Sequence, residues 1–289
     1  MKIGVPTEIK TNEYRVGLTP QSVADLVHAG HSVTVQSGAG AGILALDDDY
    51  VSAGAKIAAD AAAVFADAEL NIKVKEPQAV ECAMLRQGQI LFTYLHLAAD
   101  EKLTKSLMAS GACAIAYETV TDPNGSLPLL APMSEVAGRL SVQAGARALE
   151  RESGGAGILL GGVPGVPAAN VVVIGGGVVG INAIEMALGL NARVTVLDKS
   201  LPRLRELDMR FGGQLNTLYA SAPILAAAVR EADLVIGAVL VPGAAAPKLV
   251  GRSLIAEMRP GSAIVDVAID QGGCFETSHP TTHTDPTFI

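Results

Sequence analysis

Arg15, Lys75 and His96 each follow a short apolar run, and Asp270 follows the last such run, just ahead of a Gly-Gly turn. Arginine offers a bidentate grip on a carboxylate. Lysine can polarise a carbonyl oxygen, and histidine can hydrogen-bond that oxygen or move a proton. Two cations and an imidazole at one edge suit a small carboxylate with a reacting carbonyl. Glu8, Lys10 and Glu118 fall at comparable places, and the loop Thr11–Arg15 accompanies the first run. Each residue also has an ordinary reading. A loop arginine is usually solvated, Lys75 stands beside Glu76 and could pair with it, and His96 in LHLA could be a packed, hydrogen-bonded histidine. An Asp before a Gly turn is more often a turn former.

A second constellation is more specific. In Val171–Gly180, VVVIGGGVVG, an apolar run meets Gly175, Gly177 and Gly180; a helix-like INAIEMALGL follows, and a further apolar run, Arg193–Leu197, ends at Asp198. Strand, glycine turn, helix, strand and acid come in the order that holds a dinucleotide. Gly175 permits the tight turn, Gly177 lets backbone approach a pyrophosphate, and Gly180 lets helix and strand pack closely. Val178 and Val179 begin the helix, whose N-terminal N–H groups and positive dipole end face the phosphates. Asp198 is placed to accept bonds from a ribose 2′-OH, which favours NAD over NADP, although Lys199 and Arg203 lie nearby.

These residues need a sheet to position them, and the chain supplies strand and helix signals in alternation. In the first half, strands are predicted at Lys2–Val5, His31–Val35, Leu70–Val74, Ile90–Tyr94 and Ala112–Ala116. Helices are predicted at Pro20–Ala29, Asp47–Gly54, Ala58–Ala68 and from about Asp100 to Ser110. After a linker over Asp122–Pro132, a helix capped by Ser134 runs to about Glu150; its Gly138, Ala144, Gly145 and Ala146 allow another element to approach, and it leads from one half into the other. Beyond Asp198 come a helix at Leu201–Phe211, a strand at Leu215–Tyr219, a helix at Ile224–Arg230, a strand at Leu234–Ala238, a helix at Leu249–Met258 and a strand at Ala263–Val267. Such alternation implies an α/β chain of two doubly wound, parallel-sheet (Rossmann-like) domains with the active site in the cleft between them. The expected division is a substrate domain over 1–130 and a dinucleotide domain over 131–289. Ligands of such sheets bind beyond the carboxyl ends of the strands, where the four chemical residues fall.

Composition bounds the rest. The 289 residues are 49% hydrophobic but only 3% aromatic, with no Trp, so the core must be Ala, Val, Leu and Ile, as buried parallel strands prefer. A net charge of −8 argues against nucleic acid or an anionic membrane as the main partner. Three scattered cysteines form neither a CxxC pair nor a disulfide framework, which suggests a reducing compartment. MKIGVPTEIK is not a signal peptide, and no apolar run has the length of a membrane span. The expectation is a soluble cytoplasmic protein without a metal site.

The sequence resembles the alanine dehydrogenases along its whole length. The most specific stretches are GVPTEIKTNEYRVGLTP, VKEP around Lys75, YLHLA around His96, APMSEVAG, the glycine motif, GAVLVPG and VAIDQGG. The resemblance implies NAD-dependent, reversible oxidative deamination of L-alanine to pyruvate and ammonium. It implies that Arg15 and Lys75 hold pyruvate's carboxylate and carbonyl. His96 and Asp270 would form the catalytic pair: His96 stabilises the developing oxygen charge, and Asp270 assists proton transfer as water and ammonia exchange at C2. Ser134, Asp198, Arg203, Ala220 and the backbone of Val239, Leu240, Val267, Ala268, Ile269 and Asp270 would contact NAD. Homohexamers are common in the family.

There are departures. The family usually has Lys where Ala245 stands and often Ser where Ala220 stands. Its members continue past the segment matching PTTHTDPTFI with a loop at the nicotinamide and helices returning to the first domain. The expectation on that ground is encoded chemistry with impaired activity and assembly. Competing readings are a subunit resembling the nucleotide-binding part of proton-translocating transhydrogenase, a more distant saccharopine-type dehydrogenase, and a non-catalytic dinucleotide-binding module.

Overall fold

Short apolar runs bounded by glycine or polar turns become strands here, starting at the first residues. The computed structural model describes residues 1–239, 246–282 and 284–289, and the chain divides into two compact units, Met1–Leu127 and Pro128–Ile289.

The first unit runs β1 (Lys2–Val5), α1 (Pro20–His28), β2 (Ser32–Gln36), α2 (Asp47–Ser52), β3 (Lys56–Ala58), α3 (Ala61–Asp67), β4 (Leu70–Ile72), α4 (Ala79–Cys82), β5 (Ile90–Thr93), α5 (Glu101–Ser110) and β6 (Cys113–Ala116). Its six strands lie in the order β3-β2-β1-β4-β5-β6, all parallel. The order reverses between β2 and β4, on either side of β1, so the loops after β1 and β4 open at a topological switch point.

Two elements of this unit differ from the sequence expectation. Lys56–Ala58 is a strand, paired through Thr34↔Lys56 and Gln36↔Ala58, and α3 starts only after Asp60, whose carboxylate accepts the Ala63 N–H at 2.8 Å. A three-residue edge strand without an apolar run is made by its neighbour's backbone. The short α4 was also not anticipated; the Glu81 carboxylate accepts the Gln78 N–H at 2.8 Å and closes its first turn.

The second unit runs α6 (Ala131–Ala148), β7 (Asn170–Ile174), α7 (Val178–Gly189), β8 (Arg193–Asp198), α8 (Leu201–Phe211), β9 (Leu215–Tyr219), α9 (Ala222–Glu231), β10 (Leu234–Gly237), α10 (Arg252–Ala256) and β11 (Ala263–Asp266). Its strands lie in the order β11-β10-β7-β8-β9, also parallel, and the order reverses at β7. The side chains of β7 alternate between two cores: Val171 and Val173 pack on one face of the sheet, Val172 and Ile174 on the other. Burial on both faces explains the unbroken apolar run, and each such side chain contributes ~1.5–3 kcal/mol.

The helix α6 falls wholly within the second unit. A Cβ at Gly138 would lie 2.3 Å from the Val179 carbonyl oxygen, and one at Gly145 would lie 2.5 Å from Leu234; the small residues thus seat this helix on α7 and β10. Ser134 is not its cap. The helix begins at Ala131 with Pro132 in the first turn, and the Ser134 N–H already donates to Leu130 O at 3.0 Å. The helix expected over Leu249–Met258 is confined to Arg252–Ala256, because Leu249 and Val250 are extended against Cys274–Glu276: Leu249 N–H donates to Cys274 O at 2.8 Å, and Glu276 N–H to Val250 O at 3.0 Å.

Candidate active site

In the first unit the loops after β1, β4, β5 and β6 carry the polar groups. The Glu13 carboxylate accepts the Arg15 backbone N–H at 2.9 Å and Nε at 2.7 Å, and a terminal guanidinium nitrogen pairs with its second oxygen. Burial works against the Glu13 charge, but the Arg15 hydrogen bonds hold its carboxyl below the ordinary value, with a further pull from the Lys75 ammonium. The same bonds push the Arg15 guanidinium up, with smaller contributions from Tyr94 and Glu8. Arg15, Lys75, Glu8, Glu13 and Tyr94 therefore share one electrostatic neighbourhood.

Lys75 does not pair with Glu76. The Glu76 carboxylate is taken by Lys10, and among the described residues no ion pair or hydrogen bond of the Lys75 ammonium is found. Beneath it lies a buried ion triad. Lys73 is 0% exposed; its Nζ is 3.1 Å from Glu8 Oε2 and 2.6 Å from Glu81 Oε1. Glu8 Oε1 accepts the Val74 N–H at 2.6 Å and the Lys75 N–H at 3.4 Å. Burial pushes the Glu8 carboxyl up, against the opposing pull of the Lys73 ammonium and the Val74 N–H.

His96 sits in the left-handed region, φ 51 and ψ 36, which a non-glycine residue occupies only when its surroundings fix it there. Glu118 supplies part of that: its carboxylate accepts the His96 N–H at 2.7 Å and the Leu95 N–H at 3.1 Å. Tyr94 stacks on the imidazole with centroids 6.0 Å apart. His96 Nε2 is buried with no hydrogen-bond partner. A buried ring nitrogen left without a bond is costly, and a substrate oxygen would satisfy it.

In the second unit the three glycines divide the work. Gly175 has φ +101, and a Cβ there would lie 2.7 Å from Ala238 O; a Cβ at Gly180 would lie 1.9 Å from Gly175 O; one at Gly177 meets nothing within 4 Å. The turn therefore presents open backbone at Gly177. The first helical residues, Val178, Val179 and Gly180, follow it, with the orphan N–H groups of a helix N-terminus. This geometry fits a dinucleotide pyrophosphate. Asp198 closes the same turn: Oδ2 accepts the Gly176 N–H at 2.7 Å and Oδ1 the Ser200 N–H at 2.7 Å. A carboxylate has lone pairs beyond these two bonds. Arg203 Nε donates to Gly176 O, and its guanidinium reaches Glu206 at 2.7 Å. Ala220 follows β9 and donates its N–H to Asp198 O at 3.0 Å.

Val267, Ala268, Ile269 and Asp270 form a 3-10 turn after β11. Asp270 is exposed, and no hydrogen bond to its carboxylate is found among the described residues. Val239 accepts the Cys274 Sγ at 3.8 Å, and burial pushes that thiol up to about 11. Leu240 and Ala245 lie outside the described residues. Ser134 is buried on α6.

Sequence reasoning missed four charged groups. Lys73 and Glu81 were passed over, although a lysine among the buried residues that follow β4 needs a buried partner. Asp266 accepts the N–H groups of Cys274 at 2.8 Å and Phe275 at 3.2 Å, and Lys248 donates to Gly272 O and to Phe275 O. Together these two clamp the loop that carries Asp270. Among the described residues no three His, Cys, Asp or Glu side chains converge as a metal site, and no helix is long and apolar enough to cross a membrane.

Residues 4–137 match the family described as alanine dehydrogenase/PNT, N-terminal domain, and residues 141–289 match its C-terminal domain. The chain is 64% identical over 289 residues to an alanine dehydrogenase of Halomonas elongata, covering 100% of this chain and 78% of that protein. It is 58% identical over 288 residues to an alanine dehydrogenase of Mycobacterium tuberculosis, with the same coverage. A solved L-alanine dehydrogenase superposes with a TM-score of 0.92 at 56% identity, covering 100% of this chain and 80% of that one. A transhydrogenase from Sinorhizobium meliloti gives 0.79 at 27% identity, over 96% and 81%.

Proposed function

The chain belongs to the alanine dehydrogenase/PNT family, and on that premise we propose that it catalyses the reversible oxidative deamination of L-alanine with NAD. Alanine, NAD and water give pyruvate, ammonium, NADH and a proton. What carries this reading is the Lys75 ammonium, which no described carboxylate or carbonyl holds, in the electrostatic neighbourhood of Arg15.

Arg15 and Lys75 bind the substrate: two cations take the carboxylate and the C2 oxygen, and Arg15 stays oriented by Glu13. His96 donates to that oxygen and stabilises charge developing on it. Asp270 takes and returns protons as water adds to C2 and ammonia leaves. The chemistry that NAD would supply when bound is the acceptor for the C2 hydride. Gly175, Gly177, Val178, Val179 and Gly180 would hold its phosphates, and Asp198, Arg203 and Ala220 its adenosine ribose. Ser134, Val239, Leu240 and the backbone of Val267, Ala268, Ile269 and Asp270 would make further contacts to NAD. Asp198 favours NAD, because its charge repels a 2′-phosphate. A homohexamer in the cytoplasm completes the proposal.

The test is reduced-nicotinamide absorbance on adding L-alanine and NAD. Alanine-dependent reduction is expected. A folded, NAD-saturated protein that reduces no NAD with alanine overturns the proposal, and alanine-independent hydride exchange between two nicotinamides would favour a transhydrogenase-like role.

A further inference from the structure

Three carboxylates of the loops after β1 and β4 each have a cation of their own. Glu13 is held by Arg15, Glu76 by Lys10 and Glu8 by Lys73. The Glu8 pairing differs from the others in being fully buried: the side chains of Lys73, Glu8 and Glu81 are 0%, 2% and 1% exposed. Buried charges of this kind are costly to assemble and rarely add net stability. They need another reason to be there, and the hydrogen bonds of Glu8 supply one.

Its two oxygens do different things. Oε1 faces the backbone and accepts the N–H groups of Val74 and Lys75, fixing the stretch from which the Lys75 side chain departs. Oε2 faces Lys73. Without Lys73, the Glu8 carboxylate is left buried and uncompensated at the point where it holds the backbone of Val74 and Lys75.

We propose that Glu8 and Lys73 are positioning residues for substrate binding: Glu8 sets the backbone from which the Lys75 side chain reaches the anionic 2-oxo acid, and Lys73 compensates the buried Glu8 charge so that the carboxylate stays in place to do so. This rests on the functional reading above. Lys73 touches no substrate in this scheme; it acts through Glu8.

The experiment compares steady-state kinetics of the parent chain, Lys73→Met and Glu8→Gln/Glu81→Gln/Lys73→Met in the direction of reductive amination of pyruvate. Lys73→Met leaves Glu8 and Glu81 uncompensated and is expected to raise the pyruvate KM about tenfold or more while the NADH KM stays within about twofold. The triple variant removes both charges but keeps an oxygen for the Val74 and Lys75 N–H groups, and it is expected to recover most of the pyruvate KM. A merely structural ion pair gives no such rescue. A folded Lys73→Met with parental pyruvate KM, an equal rise in both KM values, or a folded triple variant without recovery overturns the inference. If Lys73→Met does not fold, Glu8→Gln and Glu8→Ala decide: the first is expected near the parental pyruvate KM and the second well above it, and equal values overturn the inference. A parent chain that turns over no substrate removes the functional reading and this inference with it; an active parent separates the two.

Discussion

A Cβ on Gly180 would lie 1.9 Å from the carbonyl oxygen of Gly175. Helix α7 thus crosses the turn it springs from at a separation that only hydrogen allows. The contact ties the cofactor turn to the packing of the second unit. Gly180→Ala must push the helix off the turn, and it is expected to lower Tm by several degrees, consistent with a cost of about 1–3 kcal/mol, together with loss of NADH binding. Thermal unfolding followed by circular dichroism reads the first effect, and NADH fluorescence titration the second. An unchanged Tm would contradict the packing.

Gly177 makes the opposite case. Nothing lies within 4 Å of a Cβ built there, so Gly177→Ala is expected to fold with a near-parental Tm. The new methyl group stands where a pyrophosphate would approach the backbone. NADH affinity is expected to fall about tenfold or more, a change of about 1.4 kcal/mol. Parental affinity would mean that the phosphates do not approach at this glycine.

His96 contributes a buried Nε2 without a partner, on a residue held in the left-handed region. His96→Ala is expected to lower kcat by about a hundredfold or more. NADH binding should be retained, because no part of the glycine turn is altered. Turnover at the parental rate would remove His96 from the chemistry.

The Arg15–Glu13 pairing has a pH signature. The folded-state pKa of Glu13 is held below its ordinary 4.5. A depressed carboxylate contributes stability that is complete above the unfolded value and is lost as pH falls through the lower folded value. Glu13→Gln should therefore be less stable than the parent near neutral pH, and the Tm gap should close as pH falls below the ordinary 4.5 and through the lower folded value. A gap that widens on acidification would have the wrong sign.

Much of the second unit was legible because its signals are local. In β7, apolar residues on both faces give an unbroken run, and the glycines that follow are dictated by φ at Gly175 and by close approach at Gly180. Helix ends were less legible. Ser134 has the chemistry of a cap, yet Pro132 and the Leu130 carbonyl start the helix a turn earlier. At Leu249 and Val250, backbone pairing with Cys274–Glu276 outweighs helical spacing, and sequence distance hides that partner.

The sequence by itself determined the α/β alternation, the parallel sheets, the glycine turn and the candidate set Arg15, Lys75, His96 and Asp270, because periodicity and turn chemistry depend on near neighbours. Only the tertiary structure decided which charge meets which. It gave Glu76 to Lys10 and not to Lys75, gave Glu8 and Glu81 to a buried Lys73, and made Lys56–Ala58 an edge strand. Ion pairs and strand edges are contacts between distant parts of the chain. Their energies depend on separation and burial in space, which residue order does not specify.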